Sequence, residues 1–131
     1  MSILSVQKVS EDVKVPVYDK VNQYILFASE DKHLLPNRVT PIPVGVRIAF
    51  PKNYCALLIE GFNLYAVGGL VDSDFRGEIR ALVHSPVEVF VKKGDPVARM
   101  VMIEIALPEI VTEDYLKDSE TDEENTLSND D

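Results

Sequence analysis

The prolines of this chain lie between short runs of apolar and β-branched residues, and this arrangement disfavours long helices. Eight prolines occur in 131 residues, in the segments "KVPV", "LLPN", "TPIP", "FPKN", "HSPV", "GDPV" and "LPEI". Proline suits strand starts and turns, whereas in the interior of a helix it removes a hydrogen bond and clashes with the preceding turn. No stretch carries apolar residues at helical spacing over ten or more positions. The sequence therefore predicts an all-β sandwich or barrel of short strands.

Eight runs are predicted to be strands because each is rich in β-branched, aliphatic or aromatic residues and is bounded by Pro, Gly, Asn or Asp. They are "SVQKV", "QYILFA", "PIPVGVRIAF", "CALLI", "LYAVGGLV", "EIRALVH", "VEVFVKK" and "VARMVMIEIAL". The length of the chain suits a single domain with one core.

The negative charge of the chain is concentrated at its C-terminal end. Residues 112–131 contain nine acidic residues and one lysine, which accounts for −8 of the formal net charge of −9. Residues 1–111 are therefore expected to form a nearly neutral β domain, followed by an acidic arm at 112–131 that lacks the apolar residues needed to fold. No basic face is evident, so the sequence predicts no binding to nucleic acid.

The sequence gives no sign of secretion or membrane insertion. No apolar run approaches the roughly 18 residues of a membrane span, and the apolar stretch near the N-terminus is too short for a signal peptide. Cys55 is the single cysteine, which excludes an internal disulfide. We expect an intracellular protein with no membrane partner.

The segment "GGLVDSDFRGEI" is the most distinctive candidate site. Its pattern predicts a rigid hairpin in which Leu70 and Val71 enter, the acidic turn follows, and residues 79–83 return. A carboxylate held at such a turn can act as a general base toward water. The alternative is that Asp72 and Asp74 cap the turn through local hydrogen bonds. Both interpretations stay open at this point.

The segment "GGLVDSDFRGEI" also resembles the third conserved motif of the trimeric dUTPases, G-[VL]-[IV]-D-x-D-[YF]-R-G. The segments "KVSEDVKVPVYDK", "VFVKKGDPVARMVM", "LPEI" and "YLKDSET" resemble other parts of that family in the same order. The resemblance implies a jelly-roll-like subunit, a distorted β-barrel, that forms a homotrimer by exchanging C-terminal strands. It also implies active sites between subunits, where dUTP is hydrolysed to dUMP and pyrophosphate with Mg²⁺.

Four residues acquire expected roles through this resemblance. Asp72 would orient the catalytic water, while Gly69 and Phe75 would contact the deoxyuridine part of the nucleotide. Arg99 stands where the fourth motif usually has glutamine, so it would either meet a phosphate or form an ion pair on the strand surface. Gly94 and Asp95 keep the fourth motif's "GD" but also fit a simple turn. No metal-binding residue is predicted, and Mg²⁺ is expected only if the protein is active.

Other motifs of the family are altered or lost. Ile25 stands where the first motif has the aspartate that fixes the metal's water ligands. Glu60 lies where the second motif should supply an arginine, in a segment about five residues shorter than usual in the family. Thr121 and Thr126 replace the arginine and phenylalanine of the fifth motif, whose glycines are absent. These departures predict the loss of most or all dUTP hydrolysis.

The sequence therefore favours a non-catalytic, regulatory trimer that retains some affinity for deoxyuridine nucleotide and binds a protein partner through its acidic arm. Ser119, Thr121 and Ser128 each precede an acidic residue by three positions, as acidophilic kinases require. An active but divergent dUTPase is the alternative. The deoxycytidine triphosphate deaminases share the fold, but Leu82 stands at the position of their catalytic glutamate. His33 and His84 lack neighbours at metal-ligand spacing.

Overall fold

The computed structural model describes residues 3–20 and 22–119, which form twelve antiparallel strands and no helix. The strands are β1 (Ser5–Lys8), β2 (Val17–Lys20), β3 (Gln23–Phe27), β4 (Lys32–Leu34), β5 (Thr40–Pro43), β6 (Val46–Ala49), β7 (Tyr54–Ile59), β8 (Tyr65–Ala66), β9 (Leu70–Val71), β10 (Arg80–His84), β11 (Val89–Val91) and β12 (Pro96–Glu104). The prediction of an all-β fold of short strands is confirmed.

The strands form four sheets around one core. The largest sheet has the order β2-β3-β12-β7-β9, and a second has the order β5-β10-β8. The remaining two sheets are two-stranded ribbons, β1-β6 and β11-β4. β12 is the longest strand and pairs with both β3 and β7, so that Met100 lies opposite Tyr24 on one side and Leu58 on the other. Its position makes β12 the centre of the largest sheet.

The core draws side chains from all four sheets. The largest of the fully buried apolar side chains are Leu26, Leu34, Ile42, Val44, Val46, Val83, Val97 and Met100. Strands such as β6 and β10 alternate buried and exposed residues, as expected when only one face of a strand meets the core. Because every sheet contributes to the same cluster, the four sheets fold as one unit.

The structure corrects the predicted strands at four places. The run "PIPVGVRIAF" forms two strands, β5 and β6, because the chain turns at Gly45 with a φ of +71°. The run "LYAVGGLV" also forms two strands, β8 and β9. Strands β2 and β4 were not among the predicted runs. All four residues of β2 are exposed, so it lacks the apolar alternation by which a strand is recognised.

The N-terminal segment is attached to the turn between β11 and β12. Lys93 forms an ion pair with Asp12, and the Lys14 ammonium donates to the Gly94 carbonyl oxygen at 3.1 Å. The hydrogen bond from Lys93, followed by one from Ser10, lowers the pKa of Asp12 below its ordinary value of 3.8. Because the pKa of Asp12 is lower in the folded state, its ionised carboxylate stabilises the fold fully above the ordinary pKa. This contribution is lost as the pH falls through the lowered pKa.

Residues 105–119 leave the sheet and form no strand. The Ile105 amide donates to the Asn53 carbonyl oxygen at 2.8 Å, after which the chain exposes its apolar side chains. Five of these side chains, which belong to Leu107, Ile110, Val111, Tyr115 and Leu116, are between 65% and 93% exposed. We call residues 105–119 the C-terminal arm. The rest of the predicted acidic tail, residues 120–131, lies outside the described residues.

Among residues 3–20 and 22–119, no helix has the length and apolar character needed to cross a membrane.

Candidate functional site

Gly68 and Gly69 carry the chain from one sheet to another. The Val67 amide still bonds to Leu82 of β10 at 2.8 Å, whereas the Gly69 carbonyl oxygen already accepts from the Leu58 amide of β7 at 2.8 Å. Both glycines have positive φ, +77° and +131°. A Cβ atom on Gly69 would lie 3.2 Å from the Leu58 Cβ atom. Glycine is therefore needed here for its backbone angle and for the close approach to β7.

The predicted hairpin around Asp72 is wrong in one respect: its two arms do not pair with each other. β9 pairs with β7 in the five-stranded sheet, and β10 pairs with β5 and β8 in the three-stranded sheet. The cause is the glycine pair, which moves the chain to the other sheet before the acidic turn begins. Residues 72–79, which we call the Asp72 loop, therefore bridge two sheets and leave a groove between the arms.

The Asp72 loop is held by hydrogen bonds that leave its carboxylates free. The Phe75 amide donates to the Asp72 carbonyl oxygen at 3.2 Å. Arg76 Nη1 donates to the carbonyl oxygens of Ser73 at 2.7 Å and Phe75 at 3.0 Å. Within residues 3–20 and 22–119, neither the Asp72 nor the Asp74 carboxylate accepts a hydrogen bond or joins an ion pair. The alternative that these side chains cap the turn is therefore not supported.

The groove between the two arms, which we call the Asp72 groove, has a volume of about 330 Å³. Its lining includes Gly69, Leu70, Asp72, Phe75, Arg80 and Leu82. A mostly apolar groove of this size with a few polar groups can take a small planar ligand. The structure thus brings together three of the four predicted site residues, namely Gly69, Asp72 and Phe75. The sequence prediction missed Arg80, which supplies a cation in the same groove.

The Phe75 ring lies over Gly77. A Cβ atom on Gly77 would come within 2.6 Å of the Phe75 Cζ atom, so any larger residue would displace the ring. The Phe75 side chain remains 44% exposed, which leaves an aromatic surface available to a ligand. The glycine that follows Arg76 in the sequence is therefore explained by the position of this aromatic ring.

Arg99, the fourth predicted site residue, does not line the Asp72 groove. It lies on β12 opposite Ile25 of β3 and Ile59 of β7. Its guanidinium forms an ion pair with Asp19 of β2, and the two side chains are only 24% and 28% exposed. The interpretation of Arg99 as a strand-surface arginine in an ion pair is confirmed. Its contact with a nucleotide remains a prediction.

The Phe62 ring also packs against the Arg99 guanidinium. The guanidinium carbon lies 4.8 Å from the centre of the Phe62 ring, a cation–π distance. Phe62 and Asn63 both have positive φ, +60° and +65°, in a two-residue turn between Gly61 and Leu64. Left-handed backbone costs a residue other than glycine about 1–2 kcal/mol. Gly61 and Asn63 are residue types that favour such a turn, so the sequence indicates the turn. The sequence does not indicate that the Phe62 ring contacts Arg99.

Ile25 of the first motif and the "GD" pair of the fourth motif both have local structural roles. Ile25 is half-buried beside Arg99 and offers no metal ligand. Gly94 and Asp95 form a turn: the Lys92 amide donates to the Asp95 carboxylate at 2.9 Å, and Gly94 has a φ of +91°. This agrees with the simpler interpretation of the "GD" pair.

The donor set of the described residues does not fit a protein-held magnesium ion. Among residues 3–20 and 22–119, no three His, Cys, Asp or Glu side chains are grouped as metal ligands. Asp19, which lies on the strand β2 that pairs with the strand of Ile25, is already paired with Arg99. His33 lies 2.5 Å from the Glu88 carboxylate and stacks on Phe90, while His84 stacks on Tyr65.

Comparison with known proteins identifies the family. The dUTPase family model matches residues 16–128. The chain belongs to the dUTPase family. The deoxyuridine 5'-triphosphate nucleotidohydrolase of Thermoanaerobacter sp. (strain X514) is 31% identical over 137 aligned positions, which cover 92% of this chain and 93% of that one. The enzyme of Caldanaerobacter subterraneus subsp. tengcongensis is 35% identical over 95 positions, which cover 65% and 64%.

Solved dUTPase structures share the fold. A mutant dUTPase from phage phi11 of Staphylococcus aureus, whose structure shows a structural Mg(II) ion, superposes with a TM-score of 0.80 at 18% identity, covering 86% of this chain and 97% of that one. The dUTPase of Staphylococcus bacteriophage 80alpha superposes with a TM-score of 0.77 at 18% identity, covering 88% and 99%. The predicted dUTPase-like jelly-roll fold is confirmed.

Proposed function

We propose that this member of the dUTPase family has lost most or all dUTP hydrolysis and acts as a non-catalytic, regulatory trimer that retains a weak site for deoxyuridine nucleotide. The observation that carries the proposal is the environment of Arg99. A cation at the fourth-motif position would have to grip phosphate, but its guanidinium is already occupied by Asp19 and covered by Phe62. A triphosphate would have to break this ion pair before Arg99 could bind it.

The charges around the former motif positions also oppose a triphosphate. Glu60 is an exposed carboxylate where the family has an arginine, and Ile25 replaces the aspartate of the first motif. Two like charges about 4 Å apart repel by about 1 kcal/mol even in water. Loss of a single anion-stabilising donor costs about a hundred- to a thousandfold in rate. Several such groups are missing together.

Pyrophosphate release from dUTP with Mg²⁺ tests the loss of hydrolysis. We expect the full-length protein to release pyrophosphate no faster than its Asp72→Asn variant, since the residual rate would not depend on the candidate base. The Thermoanaerobacter relative assayed in parallel provides the positive control. Turnover that the Asp72→Asn substitution abolishes would contradict the proposal and establish the second candidate.

The second candidate is an active dUTPase with a divergent site. It is supported by the free Asp72 carboxylate in the same groove as Gly69 and Phe75, an arrangement that can orient a water molecule. In that case another subunit must supply cations to the triphosphate in addition to Arg80 of this groove. The pyrophosphate assay separates the two candidates because only this one predicts a rate that depends on Asp72.

The Asp72 groove gives a prediction for nucleotide binding. Calorimetry with a non-hydrolysable dUTP analogue should show weak binding to the full-length protein. Replacement Phe75→Ala should weaken it about tenfold, or about 1.4 kcal/mol, because the ligand loses contact with the aromatic ring. Phe90→Ala is the matched control, since Phe90 is also exposed but lies on β11, outside this groove. Equal affinities of the two variants would show that the nucleotide does not lie on Phe75.

A homotrimer that exchanges C-terminal segments is the assembly we propose. The C-terminal arm supports it, because apolar side chains that are between 65% and 93% exposed need a surface to cover them. A soluble monomer rarely exposes such a contiguous stretch.

We further propose an intracellular protein whose acidic residues 112–131 bind a protein partner. Regulation by a dUTPase has a parallel in the phage 80alpha protein, a phage dUTPase described as controlling the transfer of virulence genes. Thr121 and Ser128 of the tail lie outside the described residues. Phosphorylation there would deepen the negative charge that this partner would recognise.

A further inference from the structure

A second cavity lies where Arg76 of the Asp72 loop meets the β1-β6 ribbon. Its volume is about 230 Å³, and its polar lining consists of Ser5, Gln7, Arg47 and Arg76. Gln7 lies directly opposite Arg47 in the ribbon, and Ser5 lies directly opposite Ala49. Residues two apart on a strand share a face, so these side chains project together to the outside of the ribbon, while Val46 and Ile48 face the core.

All four polar side chains of this cavity are hydrogen-bond donors, and none of its lining residues is acidic. Among residues 3–20 and 22–119, neither Arg47 nor Arg76 is paired with a carboxylate. Arg76 instead donates through Nη1 to two carbonyl oxygens of the Asp72 loop, at 2.7 Å and 3.0 Å. These bonds fix the direction of its guanidinium without neutralising its charge.

Two uncompensated guanidinium groups at one cavity repel each other, and an anion between them would remove this repulsion. The contrast with the rest of the protein is large, because the chain as a whole carries a formal charge of −9. A guanidinium presents a planar fork of N–H groups that matches phosphate oxygens in pairs. The Ser5 hydroxyl and the Gln7 amide add donors that a phosphate, an acceptor at all its oxygens, can satisfy.

We infer that the cavity lined by Ser5, Gln7, Arg47 and Arg76 is a phosphate-binding site, suited to a phosphoryl group that is either free or carried by a small molecule. It is separate from the Asp72 groove, since the two linings share no residue. Phe75 and Arg76 are neighbours in the loop, yet one lines the groove and the other lines the cavity. The site does not depend on the proposed loss of hydrolysis.

Calorimetric titration of the full-length protein with inorganic phosphate tests the site. Binding is expected to weaken at least tenfold in Arg47→Gln and in Arg76→Gln. It should remain unchanged in Arg38→Gln, which removes an exposed cation outside both linings. Phosphate should also raise the thermal midpoint of the parent protein, but not that of Arg47→Gln, because a ligand stabilises the state that binds it. All three arginines are exposed, so the variants should fold.

The source of the phosphoryl group is distinguished by a second titration, with dUMP. If the nucleotide spans the loop from groove to cavity, Phe75→Ala weakens dUMP binding while phosphate binding is unchanged, and Arg47→Gln weakens both. If free phosphate is the ligand, Arg47→Gln weakens phosphate binding but leaves dUMP binding unchanged.

Three calorimetric results would overturn the inference: no phosphate binding in the parent protein, equal affinity in all variants, or the same loss in Arg38→Gln. A lower mass of Arg47→Gln by light scattering would also overturn it, because the arginine would then act in assembly. Detection of dUTP turnover would refute only the proposed loss of hydrolysis and would leave these results unaffected.

Discussion

Removal of residues 105–131 is expected to lower the mass of the protein in solution from about three times the 14.7 kDa of the chain to that of one truncated chain. The C-terminal arm exposes five large apolar side chains within this one chain. Burial of each against a neighbouring subunit would contribute about 1.5–3 kcal/mol. Their loss should therefore separate the subunits completely. Light scattering after size-exclusion chromatography measures the change.

Two further variants separate assembly from folding. Removal of residues 120–131 alone should leave the trimer intact, because the apolar side chains of the arm remain. The substitution Ile110→Glu should dissociate it without harming the subunit, since Ile110 is 93% exposed there. A full-length protein that is monomeric, or a truncated protein that remains trimeric, would contradict the strand-exchange proposal.

The strands that the sequence predicts best are those at the centre of the largest sheet. β7 is a continuous apolar run, and β12 is apolar from Val97 to Ile103 except for Arg99. Both bury several side chains, and both were predicted. β2 was missed since its residues are exposed, and its pairing with β3 is determined by the partner strand. An apolar pattern reports burial, so a strand that buries little gives no signal.

The sequence likewise predicts one part of the candidate site and not the other. Gly69, Asp72 and Phe75 lie within seven residues of one another, and the motif that contains them predicts their common groove. The separation of the two arms could not be predicted, because it depends on the sheet that each arm joins. Neither could the pairing of Arg99 with Asp19, which are 80 positions apart. Contacts at such separations depend on the folded topology of the chain.

The glycine at the turn between β5 and β6 has the largest expected effect on stability. Gly45 combines a φ of +71° with close packing: a Cβ atom would lie 2.6 Å from Val13 Cγ1 and 2.8 Å from the Ser29 Cβ atom. Backbone strain of about 1–2 kcal/mol and overpacking of about 1–3 kcal/mol should both oppose folding. We therefore expect Gly45→Ala to reduce the free energy of unfolding by about 2–5 kcal/mol.

Gly68→Ala is the matched control for this substitution. Gly68 has a similar φ of +77°, but a Cβ atom there would meet nothing within 4 Å. It should therefore show only the backbone term, about 1–2 kcal/mol. Urea unfolding at a fixed protein concentration measures both variants, because subunit association makes apparent stability depend on concentration. Equal losses in the two variants would show that the contacts with Val13 and Ser29 add nothing to the backbone strain at Gly45.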